Sequence, residues 1–122
     1  MSAINSYRDL KIWQKGIELV KAVYALTRGF PKHETYALAD QLRRSSVSVP
    51  SNIAEGQARQ HTGEFRHFLY IALGSAAEVD TQIVIAQELG YITEEEARNA
   101  QQLVVEIRKM TYGLVSRLPQ RR

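Results

Sequence analysis

The sequence predicts an all-α protein, an antiparallel up-and-down four-helix bundle with a kinked second helix. Three observations carry that prediction. Apolar residues recur at helical spacing in four long segments. Short connections rich in Gly, Pro and hydroxyl residues separate them, and no segment alternates with the period of two that a strand requires.

Helix one is expected over residues 8–28, closed by Gly29 and by Pro31 just beyond. Leu10, Trp13, Ile17, Val20 and Tyr24 form one apolar stripe, and Ile12, Leu19, Val23 and Leu26 form a second on the adjoining face. Together they span roughly 200°, whereas an ordinary surface helix shows a stripe nearer about 100°. Either the helix sits deep between two others, or one face meets the core and the other a second subunit. Residues 1–7 read as a loose tip.

Helix two is expected from Glu34, whose charge suits the positive end of a helix dipole, to Arg59 or Gln60. It contains the stretch around which the chain is organised, QLRRSSVSVPSNIAEG over residues 41–56. Leu38, Leu42, Val49 and Ile53 hold the helical spacing, with Ser45 filling the missing turn. Pro50 removes one backbone hydrogen bond and crowds the carbonyl of Ser46, so a kink is expected there, with serine hydroxyls near the freed groups. Gly56 marks either the close approach of another backbone or the start of fraying.

Helix three opens at Thr62-Gly63-Glu64, a hydroxyl cap followed by an acid, and Gly90 ends it. Phe65, Leu69, Ala72, Ala76, Val79, Ile83 and Ala86 make a heptad seam. Helix four opens with Thr93 and Glu96 as a capping box and Ile92 with Ala97 as its hydrophobic staple. Ala100, Leu103, Ile107, Met110, Leu114 and Leu118 carry its core seam, Val105, Tyr112 and Val115 lie off it, and Pro119 stops it. The 122 residues form a single domain, with residues 119–122 a basic tail.

Composition bounds the function. There is no cysteine, which removes disulfides and thiolate zinc sites. No secretory signal is read at the start, and no apolar stretch is expected to reach the eighteen or so residues of a membrane span. A cytoplasmic protein is expected. The net charge is +3; residues 1–61 carry nine Lys/Arg against five Asp/Glu, and residues 62–122 carry seven against eight.

Catalytic constellations fail one by one. A ferritin-like centre needs two Glu-x-x-His pairs, and only Glu64 with His67 fits; His33 and His61 fall in or beside turns. There is no Gly-x-Ser-x-Gly elbow, no Ser-x-x-Lys pair and no phosphate-cradling glycine loop. No catalytic residue, metal or cofactor is assigned. Asn52 and Glu55 share a helix face, either as a hydrogen-bonded pair bridging helices or as a ligand contact. Basic residues are the better lead: Arg43 and Arg44 before Pro50, Arg59 and Arg66 around the second turn, and Lys11, Lys15 and Lys21 along helix one. Such residues bind phosphates without reading sequence, or are ordinary solvated faces and ion pairs.

A resemblance sharpens these expectations. Asp9-Leu10 with Trp13, Phe30-Pro31 with Glu34, Gln41-Leu42-Arg43-Arg44, Ser48 and Asn52-Ile53-Ala54-Glu55-Gly56 carry its first half. Glu64-Phe65, Phe68-Leu69, Gly74-Ser75, Glu78 and Leu89-Gly90-Tyr91-Ile92 continue it. These motifs resemble the four-helix-bundle proteins first met as products of intervening sequences in bacterial large-subunit ribosomal RNA genes, sometimes labelled the S-twenty-three ribosomal protein family. A related branch is the accessory variability proteins of diversity-generating retroelements. The resemblance implies a non-enzymatic homo-oligomer, a pentamer, that binds RNA or DNA; the alternative it offers is a protein-interaction scaffold recruiting a partner such as a reverse transcriptase. Five copies would carry about +15 together.

Overall fold

The computed structural model describes residues 6–119. Four α-helices make the bundle: α1 (Lys11–Thr27), α2 (Leu38–Arg59), α3 (Thr62–Glu88) and α4 (Glu94–Arg117). Each packs on two neighbours, α1 and α3 both lying between α2 and α4, while the backbones of the diagonal pairs stay apart. Contacts run in opposite sequence order across every neighbouring pair. Gly16 faces Pro50 while Thr27 meets Arg43; Gly56 faces Phe68 while Ser48 meets Ser75; Gln87 bonds Gln101 while Arg66 reaches Pro119.

Local chemistry explains the boundaries. α1 starts three residues later than expected, because Ser6 caps a short 3-10 turn over Tyr7–Asp9 through a reciprocal box with Asp9. Ser6 and Tyr7, expected within a loose tip, therefore sit in that capped turn; the rest of the tip lies outside the described residues. α2 starts at Leu38 rather than at Glu34, since a second 3-10 turn, Lys32–Glu34, intervenes. Glu34 still serves that helix from outside: its carboxylate accepts the Leu38 N–H at 3.1 Å. Thr62 is the first residue of α3 and not its cap; His61 takes the cap position without a side-chain bond. The Thr93–Glu96 box forms as expected, with both reciprocal bonds at 2.8–3.0 Å. Gly90, at φ +80°, ends α3 in a Schellman turn: its N–H donates to Gln87 and that of Tyr91 to Ala86.

The core is the set of seams facing the bundle axis. From α1 only the second stripe is buried, with Ile12, Leu19 and Val23 inside; from α3 the whole heptad seam beyond Phe65 is. α2 runs unbroken through Pro50, whose ring sits against Gly16. At Gly56 an added methyl carbon would lie 2.7 Å from Phe68 Cβ, so this glycine marks the close approach of α3 and not fraying.

Two faces remain uncovered within the protomer. Along the other α1 stripe, Leu10, Trp13 and Val20 are half-buried and Ile17 and Tyr24 exposed. On α3, Tyr70, Ile71, Val84 and Ile85 are exposed around Gly74 and Ala77. Because α1 and α3 are diagonal, these faces point in different directions. α3 also corrects one expectation: by length and composition it is apolar enough to cross a membrane, because it carries the heptad seam and this outer face together. The seam, with Leu73 and Ser75 beside it, supplies the 39% of its apolar window that is buried inside the bundle.

Candidate nucleic-acid interface

The antiparallel packing sorts the basic residues into two groups that sequence order conceals. One end of the bundle is built from the start of α1, the end of α2, the start of α3 and the end of α4. Arg8, Lys11, Arg59, Arg66, Lys109 and Arg117 gather there, against Asp9, Glu55 and Glu64. At the opposite end Glu34, Glu88, Glu94, Glu95 and Glu96 outnumber Arg28, Lys32 and Arg98.

Arg43 and Arg44 lie towards the acidic end and are engaged structurally. Arg43 Nε donates to Thr27 Oγ1 at 2.8 Å, and its guanidinium stacks 5.0 Å from the Tyr24 ring centre. Arg44 pairs with Asp40 at 2.9 Å. Lys15 pairs with Glu106 at 3.1 Å, and each holds the other charged: the lysine is raised and the glutamate lowered, first by their mutual contact. Lys21 is exposed, outside the basic end.

At the basic end, Arg59 is partly neutralised. It donates to Glu55 at 2.7 and 3.1 Å, approaches Glu64 at 3.9 Å and stacks on Phe68. Arg66 donates to the Pro119 carbonyl at 2.5 Å, which ties the end of α4 to the start of α3. Lys11 differs from both. With Lys109 and Arg117 it rims an apolar groove of about 450 Å³ between α1 and α4, floored by Leu10, Ile12, Met110 and Leu114. None of these three cations has a carboxylate within ion-pair distance among the described residues. Lys109 and Arg117 did not stand out in the sequence. The signal was the topology itself, since an antiparallel pairing of the first and last helices sets the end of α4 beside Lys11.

Asn52 and Glu55 do not bond each other. Asn52 Nδ2 donates to the backbone oxygen and hydroxyl of Ser48, both at 2.8 Å, while Glu55 pairs with Arg59. Ser48 in turn bonds Ser75 of α3 at 2.7 Å, so Asn52 braces an α2–α3 bridge through an intermediary. Among the described residues no cluster of three His, Cys, Asp or Glu could hold a metal ion. Glu64 instead faces Arg59, and His67 packs edge-on to Phe68.

Comparison with known proteins agrees with this architecture. A solved structure described as a protein of unknown function from the S23 ribosomal protein family of Bacteroides thetaiotaomicron superposes with a TM-score of 0.79. It is 24% identical, over 85% of this chain and 97% of that one, a likeness that establishes the fold alone. No curated protein matches. The family model of the 23S rRNA-intervening sequence proteins matches residues 8–113, nearly the whole bundle, and the chain belongs to that family.

Proposed function

We propose that this chain is a non-enzymatic, self-assembling bundle that binds nucleic acid by phosphate contacts at its basic end. The observation that carries the reading is the Lys11–Lys109–Arg117 groove, where three cations converge without carboxylate partners among the described residues. Cations already paired gain little from a phosphate; unpaired, clustered ones release counterions from it. Arg59 and Arg66 stand at the same end of the bundle, whereas Arg43, Arg44 and Lys15 have partners within the chain.

The homo-oligomer is supported by the two apolar faces. A helix apolar beyond one stripe is expected to be buried further. Faces on diagonal helices suit a head-to-tail contact, which closes into a ring when the rotation permits. The five-fold count, a pentamer, comes from the family resemblance. A scaffold recruiting another protein is favoured instead if an apolar face stays open after assembly.

Fluorescence anisotropy of labelled oligonucleotides, titrated with salt, tests the reading. Saturable binding that weakens log-linearly with salt supports it. Absence of binding at about 50 mM salt, where phosphate contacts are strong, overturns it.

A further inference from the structure

The basic groove does not end at its own walls. Leu10 and Leu114 are shared with a second cleft, of about 350 Å³, that opens between the end of α2 and the start of α3. Phe65 completes the apolar floor of this cleft, and all three floor residues are half-buried. Gln57, Gln60, His61 and Thr62 line it above that floor. Gln57 and Thr62 are half-buried and Gln60 and His61 exposed, so all four offer polar groups at the cleft's rim. Two of them stand on the junction, where Gln60 adopts the left-handed conformation at φ 61°. That is an uncommon state for a residue other than glycine, and it fixes the direction in which the chain leaves α2. Gly56 keeps α2 close to Phe65 and Phe68, so the cleft has a rigid back wall.

An apolar floor with an aromatic ring, edged by amide, imidazole and hydroxyl groups and adjoining cations without carboxylate partners, suits one chemistry. Single-stranded nucleic acid is recognised by unstacked bases placed on apolar or aromatic surfaces and hydrogen-bonded at their edges, beside a cationic path for the backbone. A duplex offers phosphates but no free base. We infer that this cleft takes one unstacked base of a single strand, RNA or DNA, whose phosphates run along the Lys11–Lys109–Arg117 groove. The inference rests on the nucleic-acid reading and adds to it the strandedness and a base site.

The test is anisotropy at fixed low salt with strands of one sequence as single-stranded RNA, single-stranded DNA and duplex DNA. A single strand carrying abasic sites throughout is the fourth ligand. Loss of base stacking costs about 1–3 kcal/mol per base, so the abasic strand is expected to bind about 5–150-fold more weakly than the intact one. Gln57→Ala combined with His61→Ala, both off the core, is expected to weaken intact single strands several-fold, leaving the salt slope and the far-UV circular dichroism unchanged. Comparison of the RNA and DNA strands shows which source is preferred, because only RNA offers a 2′-hydroxyl. Equal affinity for intact, abasic and duplex ligands, with a normal salt slope, overturns the base site and leaves the phosphate reading standing. Loss of all binding at low salt overturns both.

Discussion

Gly56→Ala tests whether close helix approach, rather than helix propensity, governs this position. The added carbon would stand 2.7 Å from Phe68 Cβ, 3.2 Å from a Phe65 ring carbon and 3.4 Å from the Phe65 Cα. The nearest atom is a side-chain stem and the third is backbone, so neither can swing aside. Overpacking costs about 1–3 kcal/mol, and a 2.7 Å contact with no free tip belongs in the upper part of that range, about 2–3 kcal/mol. Alanine returns about 0.8–1.0 kcal/mol of helix propensity against glycine. The net expectation is a loss of about 1–2 kcal/mol, set by the stiffness of the contact. At a urea dependence of about 1–3 kcal/mol per M, the unfolding midpoint falls by roughly 0.3–2 M. Gly113→Ala is the internal control, since its new methyl would meet only the mobile tip of Arg117 at 3.7 Å. That variant should gain stability from propensity alone. The assay is urea unfolding followed by far-UV circular dichroism at one fixed protomer concentration, which matters because assembly would couple to stability. A Gly56→Ala midpoint equal to or above the wild type would refute the reasoning.

Three further predictions follow the same physics. Tyr91 donates to Glu34 at 2.6 Å, which lowers the Glu34 pKa and raises that of Tyr91. Glu34 therefore contributes stability that is present above its unfolded pKa and lost as pH falls through the depressed folded value. Tyr91 contributes stability present below its unfolded pKa and lost as pH rises through the raised one. Tyr91→Phe should flatten both flanks of a stability-versus-pH curve measured by urea unfolding; an unchanged acid flank would contradict it. Arg43→Ala should cost about 1 kcal/mol, from the lost Thr27 bond and Tyr24 stacking. It should leave the salt slope of nucleic-acid binding intact, whereas a reduced slope would place Arg43 back among the phosphate contacts. Ile17→Lys and Ile85→Lys, one on each apolar face, should each reduce the solution mass measured by light scattering towards the 13.9 kDa protomer with helicity retained. An unchanged oligomer mass would remove these faces from the interface.

Where one local rule dominated, the sequence was a good guide. Thr93 and Glu96 are three residues apart ahead of an apolar run, and nothing distant competes with that box. The α3 seam is legible because its steps of four and three repeat without interruption. Glu34 was placed correctly by charge and wrongly by position, since the 3-10 turn lets its side chain serve a helix that starts four residues later. The pairing of Gly16 with Pro50 was invisible, because it depends on the register between two helices and not on either alone. The grouping of the basic residues was hidden for the same reason. Arg43 and Arg44 are prominent as neighbours in sequence, and only the fold shows that Thr27, Tyr24 and Asp40 lie within reach of them. Lys11 and Arg117 stand at opposite ends of the chain and meet only when the first and last helices pack antiparallel.

The central claim is that the Lys11–Lys109–Arg117 groove binds phosphates, and the salt slope of binding tests it most directly. With a single-stranded ligand each phosphate contact contributes about 0.7 to the slope of log affinity against log salt. Replacing all three cations by alanine should therefore reduce the slope by about 2. Helicity should be unaffected, since Lys11, Lys109 and Arg117 are exposed. The paired change Arg43→Ala with Arg44→Ala should leave the slope where it was. A slope that survives the triple replacement and falls with the arginine pair would contradict the account.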